Sequence, residues 1–140
     1  MRFWDSSALV TLCVEQSSTP STLALYRGDP ELVAWTLSDV EMRSAIARME
    51  REGSIAAAES SAALRRIDDL WRRIDVVTVL DPVKLRAKRL LSLHPLKSVD
   101  ALQLGAALTW AYDDPQGHEL VCLDLRLADA ARREGFTVLP

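Results

Sequence analysis

Residues 119–139 read ELVCLDLRLADAARREGFTVL, and this stretch decides the fold. ELVCL (119–123) is a short, almost unbroken apolar run, the pattern of a strand covered on both faces. Asp124 ends it. Residues 125–134 follow as a helix, Gly135 supplies a stop signal, and TVL (137–139) returns to strand. A strand, a helix and a strand in succession point to a parallel α/β arrangement.

The same alternation runs back through the chain. RFW (2–4), ELVAWT (31–36) and DVVTVL (75–80) read as three earlier strands. Helices are expected over 7–15, 20–27, 39–52, 55–73, from about Pro82 to 93, and over 98–112. The 39–52 segment sets Met42, Ala45, Ile46 and Met49 on one helical face. Gly53 separates it from the next helix, and His94-Pro95 breaks the chain before residue 98. There are no repeats, low-complexity tracts or linkers. The expected fold class is α/β: three layers, α/β/α, around a central, mostly parallel sheet of four or five strands, with residues 1–140 forming a single domain. In such sheets a ligand site lies beyond the carboxyl ends of the strands, at the point where strand order reverses.

Bulk properties narrow the functional classes. With 140 residues, 49% of them hydrophobic, the chain can bury a real core. No apolar run approaches the roughly 18 residues of a membrane span, so no membrane partner is expected. MRFWDSSALV at the start carries no apolar leader core, so the expected location is cytoplasmic. Cys13 and Cys122 lie in apolar segments and read as buried thiols. The net charge of −3 weighs weakly against nucleic-acid binding. Its distribution matters more. Arg65, Arg66, Arg72 and Arg73 form one cationic cluster, and Lys84, Arg86, Lys88, Arg89 and Lys97 a second. Both read equally as solvated helix faces or as an RNA-facing patch.

Four acidic residues need an explanation. Asp5 ends the first strand and Asp124 the fourth, so both lie at the edge where sites form, yet each also suits an N-cap. Glu41 completes a Ser38-x-x-Glu capping box, while its position one turn before Ala45 leans it toward the buried face. Asp100 is the only charged residue in SVDALQLGAALTWAY (98–112), with Gln103 one turn on. A helix apolar all round is buried, and a buried carboxylate needs a partner. No cation stands at helical spacing, so a metal ion is one candidate. Four converging carboxylates would repel strongly, and divalent cations relieve that repulsion. An all-oxygen set selects Mg²⁺ or Mn²⁺. His94 and His118 are isolated and read as loop residues, against a zinc site.

Four segments in order, WDSSALV, LSDVEMRSAI, SVDALQLGAAL and LVCLDLRLADAARREGFTVLP, span nearly the whole chain. In this order and spacing the chain resembles the PIN domain, specifically the VapC-type toxins of toxin–antitoxin modules. The resemblance implies a PIN-like fold and an endoribonuclease dependent on Mg²⁺ or Mn²⁺, with Asp5, Glu41, Asp100 and Asp124 at the family's acidic positions. It implies that Ser7 assists Asp5. Cys122 stands where a Thr is often found, which puts a small hydroxyl contact in doubt. It further implies an RNA substrate, a VapB-like antitoxin as partner, and a homodimer. Asp5 and Asp100 would hold the principal ion, with Asp124 and Glu41 completing the set or holding a second. Attack by water would leave a 5′-phosphate and a 3′-hydroxyl. Arg43, Arg48 and Arg126 are candidate RNA contacts. Residues 8–14, 20–26 and 55–71 could form a partner groove, although Leu64, Ile67 and Trp71 are equally a core stripe.

Rival readings fit less well. A receiver domain needs paired acids after strand one, and a haloacid-dehalogenase phosphatase needs Asp-x-Asp; Asp5-Ser6-Ser7 supplies neither. A non-catalytic PIN-like module that binds RNA or protein remains the alternative.

Overall fold

The computed structural model describes residues 1–140. Five strands form one sheet: β1 (Arg2–Trp4), β2 (Leu32–Trp35), β3 (Ile74–Val77), β4 (Glu119–Val121) and β5 (Thr137–Leu139). All pairings are parallel, in the order β3-β2-β1-β4-β5. The chain builds outward from β1 in one direction, then returns to place β4 on its other side. The order therefore reverses between β1 and β4.

Seven helices cover the sheet: α1 (Ser6–Leu9), α2 (Thr19–Gly28), α3 (Ser38–Arg51), α4 (Ala57–Trp71), α5 (Leu80–Leu93), α6 (Ser98–Trp110) and α7 (Leu125–Glu134). Side chains alternate across each strand, so the sheet feeds two cores. Phe3, Val33, Trp35, Leu120 and Cys122 pack with α5, α6 and α7 on one face. Trp4, Leu32, Ala34, Ile74 and Val121 pack with α1, α3 and α4 on the other. These are the three layers expected from the sequence, and the sheet is wholly parallel. Cys13 and Cys122 are free and buried, as expected. No helix is long and apolar enough to cross a membrane.

Two boundaries differ from the sequence expectation. The helix expected over 7–15 is α1, only four residues, followed by a 3₁₀ turn over Val10–Leu12. The strand expected over 75–80 ends at Val77, because α5 starts at Leu80. Pro82 falls in the first turn of α5, where its missing N–H would have had no helical partner in any case.

The helices α5 and α6 approach backbone to backbone at Gly105. A Cβ placed there would lie 2.8 Å from the Val83 carbonyl oxygen and 3.3 Å from the Ala87 nitrogen. Both are main-chain atoms and cannot swing aside. Gly105→Ala is therefore expected to destabilise the protein by about 1–3 kcal/mol, despite the better helix propensity of Ala. Denaturant unfolding monitored by circular dichroism checks this; unchanged stability would mean that the two helices separate freely.

Candidate active site

Asp5 sits one residue beyond β1, where its N–H donates to the Val121 carbonyl of β4 at 3.0 Å. It is only 4% exposed. Its side chain caps α1, accepting from the Ser7 N–H at 3.0 Å and the Ser7 hydroxyl at 2.5 Å. The Ser7 Oγ in turn accepts from the Leu123 N–H at 3.0 Å, tying the end of β1 to the segment after β4. The expected cap at Asp5 is thus present, and Ser7 is in direct contact with the Asp5 carboxylate.

Asp124 also caps as expected, accepting from the N–H groups of Arg126 and Leu127 at 2.9 Å each. Glu41 does not. Ser38 is the first residue of α3, the helix begins after Leu37, and the Ser38 hydroxyl pairs with buried Gln103. The capping box expected at Ser38–Glu41 is not formed. Instead Glu41 accepts from the Ser6 hydroxyl at 2.7 Å and from the Gln103 amide at 3.1 Å on both oxygens.

Asp100 differs from its expectation too. The helix α6 is buried from Ala101 onward, but Asp100 lies in its first turn and is only half-buried. Its carboxylate accepts from the Lys97 N–H at 3.3 Å. The first turn projects past the packed layer, so the apolarity of the helix as a whole overstated the burial of this residue. The deeply buried carboxylate is Asp5.

The four acids are electrostatic neighbours. Burial, opposed by Ser7 and reinforced by the charge of Glu41, pushes the Asp5 carboxyl up to about 6. Burial and then the charge of Asp100 raise Glu41, against the hydrogen bonds from Ser6 and Gln103. Burial and the charge of Asp124 raise Asp100, against the Lys97 N–H and the cations Lys97 and Arg126. The string Asp5, Glu41, Asp100, Asp124 is therefore one coupled cluster. No three of its members form a ready-made ligand set, and each accepts hydrogen bonds from the protein. In donor chemistry the cluster fits a hard divalent cation: all ligands are carboxylate oxygens, and charge repulsion raises the proton affinity of three of them. No histidine joins it; His94 bonds Glu134 at 2.7 Å and His118 packs edge-on to Trp110.

A cleft of about 900 Å³ opens beside Glu41 and Asp124; Asp5 and Asp100 do not line it, but Ser6, Ser7, Leu123 and Arg48 do. Arg43, by contrast, is held by Asp39 and Asp68. Four of the nine residues of the basic clusters are ion-paired locally: Arg72 with Asp69, Lys84 with Asp81, Arg86 with Asp113 and Arg89 with Glu134. Arg66 donates to the Cys13 carbonyl.

No family model matches the chain. Two curated relatives do, Ribonuclease VapC45 from Mycobacterium tuberculosis strain CDC 1551 / Oshkosh and Ribonuclease VapC49 from strain ATCC 25618 / H37Rv. Each is 30% identical over 138 residues, covering 99% of this chain and 94% of the relative. The chain belongs to the VapC ribonuclease family. Solved structures share the fold at low identity. FitAcB from Neisseria gonorrhoeae is 13% identical, with a TM-score of 0.70 over 100% of this chain and 97% of that one. PAE2754 from Pyrobaculum aerophilum is 18% identical, with a TM-score of 0.66 over 98% and 87%. A toxin–antitoxin complex from Klebsiella pneumoniae is 14% identical, with a TM-score of 0.60 over 89% and 87%.

For this VapC-family chain, Cys122 replaces the expected hydroxyl contact with a sulfur 3.8 Å from Asp5 Oδ2. Burial and then the charge of Asp5 raise the Cys122 thiol well above its usual range, so it stays a neutral, weak donor. Sequence reasoning missed Ser6 and the contact of Gln103 with Glu41. Its only signal was a polar side chain at 103 in an otherwise apolar helix.

The raised Asp5 carboxyl has a thermodynamic consequence. The folded state holds this proton up to about pH 6, while the unfolded chain loses it near 3.8. Between those values the native state binds more protons, so this group's contribution to stability is lost as pH rises through 6. The effect is on the order of 3 kcal/mol. In chelator, Asp5→Asn is expected to match the wild-type melting temperature near pH 4 and exceed it at pH 7.5. Thermal melts across that range check this, and a constant difference would contradict it.

Proposed function

We propose that this chain is an endoribonuclease dependent on Mg²⁺ or Mn²⁺, and the toxin of a toxin–antitoxin pair. Asp5, Glu41, Asp100 and Asp124 are its active-site carboxylates. The observation that carries the reading is the buried Asp5 carboxylate at the reversal of strand order, repelled by Glu41 within a cluster that continues through Asp100 to Asp124. The two mycobacterial ribonucleases support RNA as the substrate. The toxin–antitoxin complex of like fold supports a protein antitoxin, VapB-like in the family's terms, as partner. The proposal includes a homodimer acting in the cytoplasm, and residues 1–140 as one PIN-like domain.

Asp5 and Asp100 would hold the principal ion, and Asp124 and Glu41 would complete the set or hold a second. When bound, the ion supplies a lowered pKa for a water molecule and neutralises charge growing on the phosphoryl oxygens. Ser7 fixes the Asp5 carboxylate through two donors on Oδ2. Asp124 is fixed by two backbone N–H groups of α7. Arg48 lines the cleft, which supports it as a contact for an RNA phosphate. Water would attack phosphorus in line as the P–O3′ bond breaks, and the water's proton would pass through solvent to the departing oxygen, so the products would carry a 5′-phosphate and a 3′-hydroxyl.

The test is to incubate RNA with purified protein and Mn²⁺ and map the new ends. Wild type is expected to leave 5′-monophosphates, and EDTA to abolish cutting. Asp100→Asn is expected to reduce cleavage on the order of 100-fold. Products ending in 2′,3′-cyclic phosphate, or full activity in excess EDTA, would sink the mechanism. RNA bound but left uncut, equally by wild type and Asp5→Ala, would identify a non-catalytic binding module instead.

A further inference from the structure

Gln103 is 1% exposed and is the only polar side chain of α6 between Ala101 and Leu108. A buried amide needs partners, and Ser38 at the start of α3 supplies them: the amide nitrogen lies 2.9 Å from Ser38 Oγ and the hydroxyl donates back to Oε1 at 3.3 Å. That pair does not account for the second hydrogen of the amide nitrogen. It is directed at Glu41, with the nitrogen 3.1 Å from both carboxylate oxygens. Only the NH₂ end of the amide can face a carboxylate, so its orientation is fixed by chemistry. From the opposite side the Ser6 hydroxyl donates to Glu41 Oε2 at 2.7 Å.

Both donors are neutral. A Lys or Arg at either position would hold Glu41 equally well, but would also discharge it and weaken its attraction for a cation. An amide and a hydroxyl fix the carboxylate and leave its charge in place. Gln103 also lies one turn from Asp100 on the same helix, so one rigid element sets the positions of two acidic groups.

We propose that Gln103 and Ser6 form a clamp of positioning residues that aims Glu41 for divalent-cation binding. This rests on the reading of Glu41 as a metal ligand.

The test uses RNA-free protein titrated with Mn²⁺ by calorimetry, together with cleavage rates across Mn²⁺ concentrations. Gln103→Met keeps the side-chain length and removes the donors; Ser6→Ala removes the hydroxyl from a half-buried position. Each is expected to weaken Mn²⁺ binding about tenfold. KM for RNA stays at the wild-type value, and saturating Mn²⁺ restores most of kcat. In a Glu41→Gln background neither substitution causes a further loss. Wild-type Mn²⁺ affinity in either variant, or a fall in kcat that added Mn²⁺ does not recover, overturns the clamp. Should Gln103→Met fail to fold, Ser6→Ala decides alone. Wild-type Mn²⁺ affinity in Glu41→Gln and Asp100→Asn as well would overturn the carboxylate site itself, a result distinct from failure of the clamp.

Discussion

An ionised carboxylate is costly to bury, and the end of the central strand is built around that cost. Asp5 is almost fully enclosed, and what stabilises its charged form is hydrogen bonding alone: the Ser7 hydroxyl and the N–H groups of Ser7 and Ser6. The charge that bears on it is that of Glu41, and it is repulsive. Those donors do not offset burial, and the carboxyl keeps its proton to about pH 6. A group in this state gains more from an external cation than a solvated aspartate does, because the cation removes both the repulsion and part of the desolvation penalty.

The sheet order explains why such a group exists at this position. Because β1 lies between β2 and β4, its C-terminal end is covered by both cores and meets the segments that follow the neighbouring strands. Ser7 spans this junction, holding Asp5 while receiving the Leu123 N–H. Asp124 follows immediately after that contact. The fold thus delivers two acids by strand position, and the other two by helices packed on opposite faces: Glu41 from α3 and Asp100 from α6.

Strands and helices were legible because the chain is patterned simply. Near-continuous apolar runs gave the five strands, and Gly53 and Gly135 marked helix ends where the backbone takes positive φ. Boundaries were less legible where local rules compete. Pro82 was read correctly as an early helical residue, but how far the helix extends before it depends on packing that no local pattern encodes. The four acids of the candidate site can be singled out in the sequence, but not the contacts that hold them. Ser38-x-x-Glu41 fits a capping box in one dimension, while in three dimensions Ser38 is drawn to Gln103, a partner 65 residues away. Apolarity averaged along α6 placed Asp100 in the interior, although the first turn of that helix lies at the rim. The burial of Asp5 had no local signal, because it arises from two layers closing over one strand end.

The hydrogen bonds that orient the cluster come from neutral donors: two serine hydroxyls, one amide and backbone N–H groups. Arg43, Arg72, Arg86 and Arg89 are each paired to an acid away from the cleft, while the side chains of Lys97 and Arg126 act on Asp100 only through their charge and Arg48 stands on the cleft wall. That division has a physical consequence. An ion pair would stabilise each carboxylate but would cancel the field that concentrates a divalent cation, whereas neutral donors restrict geometry and leave the field standing. A net charge of −3 spread evenly would bind no cation tightly; the same charge with four acids gathered at one strand edge and none of them in an ion pair can. The acidic balance that weighs against RNA binding at the level of composition is therefore compatible with an RNA-cutting site, provided that the cation masks the acids when the phosphate arrives.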